Sequence, residues 1–176
     1  MWKTNPFAVA AISLLLASGA AGARAQSPRG EAELEMNGVH MTIDYGRPSL
    51  DGRDMIAQAP VGTVWRLGAD EATTLSLTGH AVFGNIVVPK GEYSLFAERT
   101  SERDWMLVVN RQTGQWGTER DRKKDLAAIP LKWVKEDAAK EQLEIELTHE
   151  SEETGILTIR WGHDVLRQRF RLPRIP

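Results

Sequence analysis

The chemistry-bearing residues of this chain concentrate in Val64-Trp65-Arg66-Leu67-Gly68-Ala69-Asp70-Glu71-Ala72-Thr73-Thr74-Leu75. This stretch puts one Arg, two acids, a Trp and a permissive Gly ahead of an alternating run. Arg66 offers a planar fork of donors suited to a carboxylate, a phosphate or a sugar hydroxyl, with an acid to orient it. The same three charges would also make a structural latch, since charges removed from water survive only when paired. Arg47, in Asp44-Tyr45-Gly46-Arg47-Pro48, could converge on the same loops or stand as a solvated or latch Arg. Asn110, Gln115 and Trp116 bring amides and an indole, groups that recur in sugar sites. A Trp beside Gly serves equally well as a lid over a core edge. Acid–base hydrolysis of envelope sugars is a further option, with Glu71 as acid or base and Asp44 or Asp121 as partner. Adjacent Asp70 and Glu71 on a strand would point to opposite faces, which argues against that pair itself serving.

Other chemistries lack their residues. His40, His80, His149 and His163 stand at no metal-ligand spacing and in no His-Glu-x-x-His arrangement, so no metal site is expected. There is no Gly-x-Ser-x-Gly elbow, phosphate loop or dinucleotide fingerprint, so no cofactor is expected either. The absence of Cys excludes disulfides, thiolate ligands and thiol nucleophiles. Arg167, Arg169, Arg171 and Arg174 form the one basic stripe, expected on the solvated face of a last strand, where charge discourages edge pairing.

The elements that must position these residues read as β throughout. Lys3, the apolar run from Phe7 to Leu16 and Ala23-Arg24-Ala25 make a secretory signal over residues 1–25. Its cleavage would remove Lys3 and Arg24 and no acid, moving the net charge from −2 to −4. That acidity argues against nucleic acid and anionic membrane surfaces as partners. No other stretch is long enough to span a bilayer. Residues 26–36 are expected to be a flexible leader, and 37–176 a single domain. Val39-His40-Met41-Thr42-Ile43-Asp44-Tyr45 alternates, as do Thr73 to Thr78 and Leu143 to Leu147. Pro89-Lys90-Gly91 marks a hairpin, and Trp105 to Asn110, apolar on both faces, belongs at the centre of a sheet. Arg111 to Lys124 reads as a long polar loop of the kind that carries function. Leu126 to Val134 is a strand interrupted by Pro130, Lys135–Lys140 a charged loop and Gly162-His163-Asp164 a turn. The sum is about nine short strands and no amphipathic helix, which predicts an all-β antiparallel two-sheet sandwich, jelly-roll-like.

Asp44 to Ser49, Val64 to Thr74 and Pro89 to Phe96, followed by Trp105 to Asn110, Gln115-Trp116-Gly117 and Lys124-Asp125, resemble the bacterial family catalogued as domain of unknown function 2911. The resemblance covers nearly all of the chain after the signal and implies an exported bacterial β domain with no assigned activity. It places Arg47, Arg66, Glu71 and Trp116 on matching positions. The family pattern has Asn at Asp70 and a Tyr-Asp pair at Arg120-Asp121, so charge at 70 and stacking at 120 do not carry over. The function expected is binding of a small polar ligand or cell-envelope component at a loop-end pocket of Arg47, Arg66, Glu71, Asn110 and Trp116. The alternatives are the hydrolase, or an interaction domain with the cluster as a latch. Oligomeric state is not legible in the sequence.

Overall fold

Alternation of apolar and polar side chains becomes strand pairing along most of the chain. The structure is a computed structural model that describes residues 26–174; the signal reading of residues 1–25 lies outside them. Ten strands follow one another: β1 (Arg29–Met36), β2 (Val39–Gly46), β3 (Val64–Trp65), β4 (Thr73–Leu77), β5 (Ala81–Phe83), β6 (Ile86–Val88), β7 (Gly91–Arg99), β8 (Trp105–Asn110), β9 (Asp125–His149) and β10 (Gly155–Phe170). Val39, Met41, Ile43 and Tyr45 are buried while His40 is exposed, as period-two patterning requires.

Residues 26–36 are not a free leader: Arg29 to Met36 pair along their whole length with β2. Asn37 and Gly38 make the turn, both at positive φ (57° and 77°), the geometry of a type I′ hairpin. Asn-Gly after alternating Ala32, Leu34 and Met36 was the local signal for this strand.

The main sheet runs β1-β2-β4-β7-β8-β9-β10, antiparallel, with β3 added to β7 beside β4; β5 and β6 form a separate two-stranded ribbon. The expected pair of main sheets is replaced by one sheet that curls. The cause is the length of β9 and β10, 25 and 16 residues, which carry the ladder around the core with register shifts on either side of Gly162. Lys135–Lys140 lies within β9 rather than in a loop, and Gly162-His163-Asp164 within β10 rather than in a turn. Pro130 fits because β9 there pairs only with β8, leaving one edge that asks for no donor.

The curl returns the far half of β9 to the start of the sheet. Leu50 N donates to Glu141 O, and Leu143 N to Pro48 O. The buried Tyr45 hydroxyl accepts from Ile145 N at 2.9 Å and faces Ile145 O at 3.3 Å. Inside lies one continuous core, with Met41, Ile43, Leu75, Leu95, Trp105, Leu107 and Ile129 fully buried. Each such side chain contributes roughly 1.5–3 kcal/mol by leaving water. The ribbon joins through Phe83, whose ring lies 5.7 Å from Phe170. Two of the four arginines of the basic stripe lie on β10 and are ion-paired, Arg167 with Glu136 and Arg169 with Glu150.

Candidate functional site

Between β3 and β4 the chain reverses through Leu67-Gly68-Ala69-Asp70, with Leu67 and Asp70 both in the left-handed region (φ 54° and 63°). Such backbone costs about 1–2 kcal/mol per non-Gly residue, so surrounding contacts must hold it. Thr73 Oγ1 donates to Leu67 O at 2.8 Å, Gly117 N to Asp70 O at 2.9 Å and Ser27 N to Asp70 Oδ2 at 2.7 Å. Gly46 lies so close to Ala69 that a Cβ would stand 2.9 Å from its nitrogen, which makes glycine obligatory there.

This reversal turns Arg66 into a cavity of about 800 Å³. One wall is the segment 53–63, which Arg99 clamps by donating to Ala57 O at 3.0 Å and to Ala59 O. The opposite wall is Gly117, Thr118, Arg120 and Arg122 from the polar loop, and Val64, Trp65 and Phe96 complete the lining. The stem of Arg66 packs on Gly117. Among the described residues its guanidinium has no ion pair or hydrogen bond.

The other expected site residues lie elsewhere. Arg47 Nε donates to Leu143 O at 3.2 Å, where the side chain ties β2 to β9. Glu71 is exposed and 3.8 Å from Arg29, which also pairs with Asp44. Arg66, Asp70 and Glu71 therefore form no mutual latch, and Glu71 is not recessed. Asn110 is fully buried, donating from Nδ2 to Asp121 O (2.8 Å) and Asp125 Oδ1 (2.7 Å) and accepting from Gln112 N. Trp116 is 40% exposed and bridges to Glu71 beside the cavity, while Gln115 Nε2 donates to Ser94. Of the five expected residues, only Arg66 lines the cavity.

Sequence reasoning had not singled out Phe96, Arg120, Arg122 or the 53–63 wall. The length and polarity of Arg111 to Lys124 drew attention to a loop that forms part of this cavity's lining, but nothing local tied segment 53–63 to it. Arg120 sits over the Phe96 ring at 5.5 Å and grips Asp125 with both Nε (3.1 Å) and Nη2 (2.6 Å). It also reaches Glu98 at 3.3 Å, which Arg122 approaches at 3.7 Å. Burial would raise the Asp125 carboxyl, but the hydrogen bonds from Arg120 and Asn110 outweigh it and hold its pKa below the ordinary value.

Behind segment 53–63 stands a fully buried acid, Asp164. Register shifts on either side of Gly162 bring Asp164 into the interior, as bulges do. Trp133 Nε1 donates to its Oδ1 at 2.6 Å and Lys135 lies 3.6 Å away. Oδ2 is buried without a partner among the described residues. Burial, and then the neighbouring Asp54 carboxyl of the cavity wall, raise its pKa against the pull of Trp133 and Lys135.

Among the described residues no three or more His, Asp or Glu stand together as a metal cage, and no helix is long and apolar enough to cross a membrane. The cavity thus combines an apolar wall with guanidinium groups, a lining that can take up an anion and shield part of its body. No curated protein and no solved structure matches the chain significantly. The model of the family described as protein of unknown function (DUF2911) matches residues 27–170, nearly the whole described region. The chain belongs to that family.

Proposed function

We propose that the protein is a binding module that holds a small polar ligand bearing a negative charge in the cavity beside β3. The observation that carries this is Arg66: a forked donor on the wall of a preformed cavity with no protein partner among the described residues. Binding sites leave a donor open for a ligand, whereas a structural Arg uses its fork internally, as Arg120 does. The hydrolase reading requires a recessed Glu71, and its exposure beside Arg29 gives that reading no support. Export rests on the sequence of residues 1–25, and with it an envelope component as ligand. The facing layers tied by Tyr45 and Ile145 support treating the curled sheet as a sandwich that presents the cavity.

A screen of sugars, sugar acids, carboxylates and phosphates by thermal unfolding tests the reading. A ligand at a hundred times its Kd adds about 2.7 kcal/mol, which for a chain of this size raises Tm by roughly 5–10 °C. The shift should vanish in Arg66→Ala. A shift that survives Arg66→Ala, or no shift from any anionic compound, defeats the reading.

A further inference from the structure

The ion pairs around the cavity narrow the ligand beyond "anion". Three arginines line its cationic end: Arg66, Arg120 and Arg122. Asp125 takes Arg120 with both oxygens, and Glu98 lies against both Arg120 and Arg122. Three guanidinium charges therefore face two carboxylates, and the one left over is that of Arg66. At the other end, Arg53 stands 3.7 Å from Asp51 and next to the acid Asp54 in the chain, which leaves no surplus of positive charge there.

Most of the remaining lining is apolar, from Met55, Ala59, Pro60, Val64, Trp65 and Phe96, with Gln58, Thr63 and Thr118 as its neutral polar side chains. Trp65 is fixed in place, stacked on Trp161 at 5.4 Å and 14° and edge-on to Trp105 at 6.4 Å. Arg99 fixes the Ala57 and Ala59 carbonyls and itself lies over the Trp133 ring at 5.1 Å. An apolar wall this rigid has little ordering left to do when it receives a ligand. A sugar would turn most of its hydroxyls toward this apolar stretch, with Gln58, Thr63 and Thr118 the few neutral polar groups to meet them, and a dianion would exceed the single open charge.

We infer that the ligand is an amphipathic monocarboxylate, its carboxylate on Arg66 and its apolar body along Met55, Pro60, Val64 and Trp65. This rests on the binding reading above and specifies its ligand class. Each methylene that reaches the apolar wall should tighten binding about three- to fourfold.

Calorimetric titration of the protein with acetate, hexanoate, octanoate, octyl phosphate, glucuronate and inorganic phosphate tests it. Octanoate should bind about tenfold more tightly than hexanoate, acetate should not register, and octyl phosphate should gain nothing over octanoate. Arg66→Gln should weaken octanoate about tenfold or more, whereas Glu71→Gln, outside the cavity, should leave it unchanged. The chain-length series in the unaltered protein is decisive even if Arg66→Gln does not fold. Arg66-dependent binding of glucuronate or phosphate without octanoate overturns the ligand class and leaves anion binding standing. Octanoate binding that ignores chain length or Arg66 also overturns the class. Silence from all six compounds overturns both readings.

Discussion

Replacing Gly46 with Ala tests how the fold holds Arg66. Gly46 ends β2 at a normal φ, so the substitution brings no backbone strain of its own. The added Cβ would stand 2.9 Å from Ala69 N, 3.0 Å from Ala69 C and closer still to Ala69 O. Ordinary carbon–oxygen contacts are about 3.3 Å or longer, so the 67–70 backbone must retreat by about 1 Å. It has little room to do so. Leu67 and Asp70 already occupy the left-handed region, and Leu67 O and Asp70 O are held by Thr73 and Gly117. Overpacking of this kind costs about 1–3 kcal/mol and occasionally more. With rigid backbone as the obstacle we expect ~3 kcal/mol, or about 6–12 °C in Tm. Gly38→Ala is the control: nothing lies within 4 Å of its would-be Cβ, and only its φ of 77° resists, at about 1–2 kcal/mol. Thermal and urea unfolding followed by circular dichroism would compare the two. Gly46→Ala melting within about 2 °C of the parent, or above Gly38→Ala, would refute the claim that this contact is tight.

Asp164→Asn should change the pH dependence of stability. Burial and then Asp54 raise the Asp164 pKa, so the folded state holds its proton more firmly than the unfolded chain does. Stability present below the ordinary value of 3.8 should therefore fall as pH rises from there through the folded-state value. Asn stays neutral and still accepts from Trp133, so its urea midpoint should lack that decline as pH rises above the ordinary carboxyl value; parallel profiles would contradict the assignment. Tyr45→Phe should cost about 1–3 kcal/mol, since it strips Ile145 N of its buried acceptor; a loss under ~0.5 kcal/mol would show the curl does not depend on that contact. Glu71→Gln, exposed and 3.8 Å from Arg29, should alter stability by no more than about 0.5 kcal/mol, and a larger loss would revive the latch.

The chain by itself determined the strand content and most strand positions. Val39, Met41, Ile43 and Tyr45 could face one core only if that segment ran as a strand, whatever lay beside it. The stretch around Arg66 and the polar loop ending at Lys124 stood out in the sequence, and both contribute to the cavity lining. The β1 segment reads as a leader, although Asn37-Gly38 after an alternating run marks its hairpin. Tertiary structure alone decided which side chains share the cavity. Arg47, Glu71 and Asn110 lie near Arg66 in pattern but turn to Leu143, Arg29 and Asp125, because register and loop path set each side chain's direction. The curl of β9 and β10 is equally invisible locally, since the charged stretch Lys135 to Lys140 reads as loop until β10 pairs with its two ends, Lys135 with Asp164 and Lys140 with Gly162. Periodicity is a property of near neighbours in sequence. The meeting of segment 53–63 with Gly117 to Arg122 depends on pairings that close long stretches of chain, and only the folded sheet contains them.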